Sequence, residues 1–429
     1  VAEYDIEFDR HVAKHFRWNF SANVMDISFY MLATNLVSQA TIMPLLVSQL
    51  TTSKLAIGLI PAIFSLGFLL PQLLTANFTE RLRFKKPFVV IVSGPGERGP
   101  YLVIAIVLWL LAVSQPTLTL VLFYALLAVS AVSAGVAMPA WSDLIAKVIP
   151  VKRRGRWSGT AYSLGALMGV VGASFAGRIL AGYPFATNFA LCFLLASGAM
   201  FVSWVGLAIN REPAGLIVKP HVTLGDYFRQ LPGLLHQDHN YVRFLISRSI
   251  ANLGGMAAGF IMVYGTQRFG FGGREVGIMT AILAGSQAVM NPLWGLLGDR
   301  AGHKIVLCAA AFAMLAATAA TALAVSPAGI YLAFALLGVA MAADSVSAMN
   351  IIMEFGAPQD RPTYIGLSNT LLAPGRSLAP IIGGILATVV GYGGMFAVAM
   401  VLAGAGGLLL ALWVRDPRHA QRGEMIATT

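Results

Sequence analysis

Charged residues are scarce in this chain: 11% of 429 residues are charged and 57% are hydrophobic, with mean hydropathy +0.75. A soluble domain carries about 25% charged residues, so this sequence has too little polar surface to coat a particle in water. Cysteine is nearly absent as well. Cys192 and Cys308 each sit inside an apolar run, which suits a small buried side chain and gives no disulfide framework or metal spacing. No GxxxxGK[ST] phosphate loop occurs, so ATP hydrolysis has no visible site; neither an enzyme nor a cofactor is expected. His236 and His239 flank Asp238 in a polar stretch, where histidines are more often solvated than bound to zinc. The first eighteen residues mix Glu3, Asp5, Glu7 and Asp9 with Arg10, Lys14 and Arg17. They lack the apolar core of a cleavable signal peptide, so the N-terminus is expected to stay in the cytoplasm.

What is present is a succession of apolar runs, each near the roughly 20 residues that cross a bilayer. They predict twelve membrane-spanning helices near residues 19–48, 55–77, 87–113, 118–146, 158–182 and 188–210, then 241–266, 276–297, 305–325, 330–355, 363–390 and 395–414. The net charge of +11 reports topology rather than an anionic partner. Of the 29 Lys and Arg, 22 fall in segments that alternating spans place on one side. Only Lys54, Arg178, Arg268 and Arg274 fall near the other, and Arg98, Arg248 and Arg376 lie within spans. That asymmetry puts both termini in the cytoplasm of a multi-pass protein of the cytoplasmic membrane. Contact with anionic lipid headgroups follows, and nucleic acid is not an expected partner.

One long polar break, 211–240, divides the chain into segments 1–18, 19–210, 211–240, 241–414 and 415–429. The two large segments resemble each other. At an offset of 207, Arg154 falls on Arg361, Trp157 on Tyr364, Gly159 on Gly366, Leu164 on Leu371 and Gly177 on Gly384. An internal duplication predicts such matches between the fifth and eleventh spans, and with it an all-α integral membrane protein of two pseudo-symmetric six-helix bundles.

Between spans 8 and 9 stands GLLGDRAGHKIVL, residues 295–307. Gly295, Asp299, Arg300, Gly302 and Lys304 resemble motif A of the major facilitator superfamily. The corresponding loop ANFTERLRFKK, residues 76–86, is degenerate, with Glu80-Arg81 in place of Asp-Arg. A tight Gly-containing turn lets two helices end close together, and an acid flanked by bases can bond helix termini. By the resemblance, such clusters latch one alternating-access state, with Asp143 and Glu354 as partners for Arg81 and Arg300. The alternative is solvated loop charge that fixes orientation.

Ionisable residues inside spans cost roughly 2.5–3.5 kcal/mol on insertion scales, so they face a cavity or a partner. Asp26 shares a helical face with Asn19, Asn23 and Tyr30, a stripe suited to an aqueous cavity. Asp344, in GVAMAADSVSAMN, reads as a lone embedded carboxylate. A carboxylate exposed alternately to an apolar wall and a nearby cation can take up and release a proton, so Asp26 and Asp344 are the proton-coupling candidates. Arg248 and Arg376 are candidate counter-ions or substrate contacts. Arg376 lies in LLAPGRSLAPIIGG, where Pro374, Gly375 and Pro380 loosen the helix, and a guanidinium there would favour an anionic or zwitterionic solute. Span 3 holds the oddest feature, SGPGERGPY, with adjacent Glu97 and Arg98. Neighbours on an α-helix point about 100° apart, so these two need not pair, and an embedded Glu97–Arg98 pair stays an open reading. Gly165, Gly169, Gly172 and Gly177 in span 5 read as a close-packing stripe.

These features point to a secondary active transporter, moving a small organic solute by alternating access and coupled to protons, as a monomer. A drug/proton antiporter remains open, as do a non-transporting assembly factor of the same fold and a lipid transporter.

Overall fold

The computed structural model describes residues 2–79, 82–214, 238–352, 354–355 and 361–417. Described residues outside turns and short links are helical. The elements are α1 (Ala2–Leu36), α2 (Ile42–Leu50), α3 (Lys54–Thr79), α4 (Lys86–Val92), α5 (Gly99–Leu111), α6 (Pro116–Val148), α7 (Val151–Gly182) and α8 (Thr187–Ala208). They continue as α9 (His239–Gly254), α10 (Ile261–Phe269), α11 (Gly273–Ala301), α12 (His303–Ala322), α13 (Pro327–Ile352), α14 (Arg361–Val389) and α15 (Gly391–Leu412). A π-helical turn, Ser93–Arg98, joins α4 to α5, and a 3₁₀ turn, Gly255–Phe260, joins α9 to α10.

Ten expected spans match these helices to within a few residues, the third of them as α4 and α5 joined by the π turn, and the fifth begins seven residues early, at Val151. The first differs. Its helix begins at Ala2 rather than at 19, and stops at Leu36 before α2 resumes at Ile42. Ser38 causes the break: its carbonyl accepts the N–H groups of Ile42 and Met43 at 2.9 Å each, and its hydroxyl accepts from Ala40 at 3.3 Å. Such local bonds compete with the helical ladder. Among the described residues, ten helices are long and apolar enough to cross a membrane. The first span, with its Asn/Asp face, and the third, interrupted at 93–98, are not in that set.

The chain forms two compact units. Unit 1 comprises Val1–Thr51, Ile63–His221 and Gly272–Ala281; unit 2 comprises Thr52–Ala62, Val222–Phe271 and Ile282–Thr429. In unit 1, α1 packs on α7 and α8, and α5 on α8; in unit 2, α9 packs on α14 and α15, and α12 on α13 and α15. The glycine stripe of α7 makes the first contact possible. A Cβ on Gly165 would meet Met31, one on Gly169 would meet Asn35, and one on Gly172 would sit 2.6 Å from the Leu32 carbonyl oxygen. Gly177 lies against Gly277 in unit 1, and its duplicate Gly384 lies against Lys54 and Leu55 in unit 2.

The duplication extends to hydrogen bonds. Asn19 on α1 accepts the Arg211 N–H at 2.8 Å and donates to the Arg211 carbonyl at 3.0 Å. Asn240 on α9 does the same with Arg415, at 2.8 and 2.9 Å. Each asparagine holds the chain leaving the last helix of its unit. Asn19 is fully buried whereas the Asn240 bonds are exposed, and an unmet buried polar group costs about 1–3 kcal/mol. We expect Asn19→Ala to lose about that much stability and Asn240→Ala about 1 kcal/mol or less, measured by thermal unfolding in detergent. Equal losses would contradict the burial argument.

Candidate functional site

The interior ionisable residues form one cluster in each unit. In unit 1, α1 supplies Asp26, the π turn supplies Glu97 and Arg98, and α8 supplies Ser203. The π turn arises from SGPGERGPY, where Pro95 and Pro100 have no N–H to give. The Gly99 N–H reaches five residues back to the Gly94 carbonyl, the spacing of a π-helix. Carbonyls of the interrupted ladder find side-chain donors: Val90 accepts from Trp204 at 2.9 Å, Ser93 from Arg98 at 3.4 Å and Glu97 from Ser130 at 2.7 Å.

Arg98 is the hub. Its Nη1 bonds Glu97 Oε2 at 2.7 Å and its Nη2 bonds Asp26 Oδ1 at 3.2 Å. Ser203 donates to the same Asp26 oxygen at 2.6 Å. All three charged residues are buried. Glu97 and Arg98 thus pair, the embedded pair that the sequence left open although neighbours on a regular helix point apart. The wider π turn brings successive side chains closer in angle, and the guanidinium is long enough to fold back. Two carboxylates share one guanidinium, leaving one acid in excess. The cluster lines a cavity of about 280 Å³, walled also by Tyr30, Phe68, Met138, Trp141 and Tyr162. Tyr30 and Trp141 turn their polar ends toward Glu97 and Asp26.

Asn19 and Asn23, on the same stripe as Asp26, do not line this cavity. Asn23 donates to Asn210 at 2.6 Å and to the Asn19 carbonyl at 2.7 Å. Both asparagines hold α1 to the chain at the end of α8, so their bonds place them away from this cavity. Tyr30 alone continues the stripe into the cavity.

In unit 2, Asp344 on α13 is not alone. Arg248 on α9 bonds its Oδ1, and Arg376 on α14 approaches its Oδ2 at 3.4 Å. Arg248 is buried, while about a third of the Arg376 and Asp344 side chains is exposed (33% and 38%). Two guanidiniums share one carboxylate, so the balance is opposite to that of unit 1.

The motif residues lie at helix ends. Asp299 and Arg300 are exposed in the last turn of α11, and Gly302 takes φ +96° to start α12. That left-handed conformation favours glycine. Lys304 donates to the Ala411 carbonyl at 2.9 Å. No ion pair joins Glu354 to Arg300 among the described residues. Glu80 and Arg81 lie outside the described residues, and Asp143 pairs with Lys85 at 3.4 Å. Unit 1 uses Glu212, which sequence reading passed over. Its carboxylate accepts the N–H groups of Lys85 and Lys86 at 2.8 Å each and the Lys147 ammonium at 2.9 Å. It caps the helix that leads to Arg98. Asp416 lies in the corresponding place beside Gly302. An acid four residues past the last helix of each unit was the available signal.

The sequence profile of the Major Facilitator Superfamily matches residues 25–230 and 244–425. The chain belongs to the major facilitator superfamily. This transporter has the fold of solved members at low identity. A bacterial homolog of the human lysosomal transporter Spinster, in an inward-facing and unoccupied conformation, is 14% identical with TM-score 0.64, covering 95% of this chain and 97% of its own. The nucleoside transporter NupG is 13% identical with TM-score 0.65, covering 92% and 98%. A D-xylose-proton symporter is 12% identical with TM-score 0.67, covering 94% and 99%. No curated protein sequence matches the chain.

Proposed function

We propose that this major facilitator transporter is a proton-coupled secondary carrier of a small organic solute, working as a monomer in the cytoplasmic membrane with both termini on the cytoplasmic side. The observation that carries the reading is the sharing of Arg98 by Asp26 and Glu97 at the wall of a cavity. Two embedded acids on one base leave a site for a proton, since an unbalanced charge in hydrocarbon is costly and protonation removes it. Asp344, held between two bases, is the second carboxylate of the mechanism. Alternating access would expose these groups to one aqueous side and then the other. The biased distribution of Lys and Arg supports the orientation.

Reconstitution into proteoliposomes containing a pH-sensitive dye tests this. Wild-type protein should couple proton movement to an imposed gradient of small organic acids. Asp26→Asn, Glu97→Gln and Asp344→Asn should each abolish the coupled proton signal. Unchanged coupling in all three would remove these carboxylates from the mechanism.

A further inference from the structure

We propose that the pocket of unit 2 lined by Arg248, Asn252 and Asp344 binds the carboxylate of a small organic anion on Arg248 and on the neighbouring Arg376, with the Asn252 amide as an added donor, and that Asp344 is the internal anion it displaces. This deepens the transport reading above and rests on it for the coupling role of Asp344.

The pocket has a volume of about 350 Å³ and is lined from α9 with its 3₁₀ turn, α12 and α13; Arg376 of α14 is not in its lining and meets it through Asp344, 3.4 Å away. Arg248, Ala251, Asn252 and Gly255 follow one face of α9 into the 3₁₀ turn, at the spacing that lines one side of a helix. Ala310, Ala311 and Met314 of α12 give an apolar wall, and Ala340, Asp344 and Ser345 of α13 close the opposite side. Small residues leave the room.

Donors exceed acceptors at this site. A guanidinium has five N–H donors, yet Arg376 makes one side-chain hydrogen bond among the described residues, to Asp344. The side-chain amide nitrogen of Asn252 is enclosed and has no partner. Arg248 sits one turn before it and is engaged with Asp344. A planar fork with unused N–H groups matches a carboxylate in bidentate geometry, and the alanine and methionine walls suit an apolar body behind it.

The balance of charge points the same way. The charged groups acting on Asp344 are Arg248 from α9 and Arg376 from α14, and neither is an acid. Glu354 lies beyond the end of α13, ten residues after Asp344 in sequence. Two cations thus share one anionic partner, and a bound carboxylate can take the place of Asp344 there without changing the balance.

Asp344 then acts as a proton-controlled competitor. While ionised it occupies both guanidiniums. When it takes a proton from water, the guanidiniums lose their internal partner and the carboxylate of the solute replaces it. By linkage, the bound anion favours protonation to the same degree. Proton and anion therefore bind together, which is the condition for symport.

Equilibrium binding to the full chain in detergent tests the site without transport. The probes are sodium benzoate, sodium lactate and disodium succinate, with choline chloride at matched ionic strength, followed by the thermal unfolding midpoint from pH 5 to 8. At least one carboxylate should stabilise the protein saturably. Its affinity should rise as pH falls, by at most about tenfold per pH unit for one linked proton. Asp344→Asn should bind tightly across the range with that dependence lost. Arg376→Lys and Asn252→Asp should weaken binding about tenfold or more, the scale of a lost charge-assisted bond, with the ligand-free midpoint showing that each has folded. Stabilisation by choline alone, full affinity in Arg376→Lys, or an unchanged pH dependence in Asp344→Asn would each overturn the proposal. Intact pH-linked binding beside a silent proton-flux assay would refute the transport reading and leave the anion site standing.

Discussion

Arg98→Gln will cost this protein about 3–5 kcal/mol, the usual price of removing one partner from a buried ion pair. Arg98 is 7% exposed and carries Asp26 and Glu97, at 4% and 8% exposure. Without the guanidinium, two carboxylates face each other across an apolar cavity, and the Ser93 carbonyl loses a donor. The triple variant Arg98→Gln, Asp26→Asn, Glu97→Gln should regain most of that loss, because three neutral amides need no counter-charge. It should nevertheless carry no proton-coupled flux. Recovery of stability without recovery of function would separate the electrostatic role of Arg98 from its packing role. Thermal unfolding in detergent, read beside the proteoliposome assay, makes the comparison. A single Arg98→Gln variant as stable as wild type would show that the cluster is not the balanced unit described above.

The second large effect is steric. A Cβ on Gly254 of α9 would lie 2.5–2.7 Å from the backbone nitrogen, Cα and Cβ of Ala403, and one on Gly406 of α15 would meet the corresponding atoms of Ala251. The neighbours are helix backbone and alanine methyls, which have no rotamer in which to retreat. Inserting even one methyl into a tight core costs about 1–3 kcal/mol, and these contacts fall at the upper end of that range. Gly254→Ala and Gly406→Ala should each lower the unfolding midpoint and drive α9 away from α15. Because α9 carries Arg248 and Asn252, carboxylate binding should fall as well. The controls are Gly198→Ala and Gly285→Ala, where a Cβ has nothing within 4 Å. Alanine is the better helix former by up to about 1 kcal/mol, so these should be neutral or stabilising. Equal behaviour in the two pairs would show that the glycines are not needed for helix approach.

Much of the fold was legible because a bilayer imposes a coarse rule. Spans must be long, apolar and helical, and Lys and Arg sort by side. The break at Ser38 escaped this rule because Val37 and Ala40–Thr41 keep the run apolar enough to read as continuous. Part of the site was legible too. Asp26, Tyr30, Arg248, Asp344 and Arg376 stand out because charge or hydroxyl inside hydrocarbon needs a reason. Asn19 and Asn23 shared that helical face, yet periodicity gives a direction and not a partner. Their partners, Arg211 and Asn210, are nearly two hundred residues away in sequence. Ser203, Trp141 and Asn252 gave no signal, since serine, tryptophan and asparagine in a membrane helix are ordinary residues until a neighbour is known.

The sequence by itself determined the solvent, the number of spans, the duplication and the short roster of embedded charges, because hydropathy, helical period and charge are properties of consecutive residues. Only the tertiary structure decided which charges meet. Arg98 rather than Arg248 or Arg376 partners Asp26, and Asp344 is shared by two bases. The π turn made Glu97 and Arg98 a pair where regular helix geometry sets neighbours apart. Pairing depends on the distance between helices remote in the chain, and that distance is set by packing, down to the glycines that let α1 rest on α7 and α9 on α15.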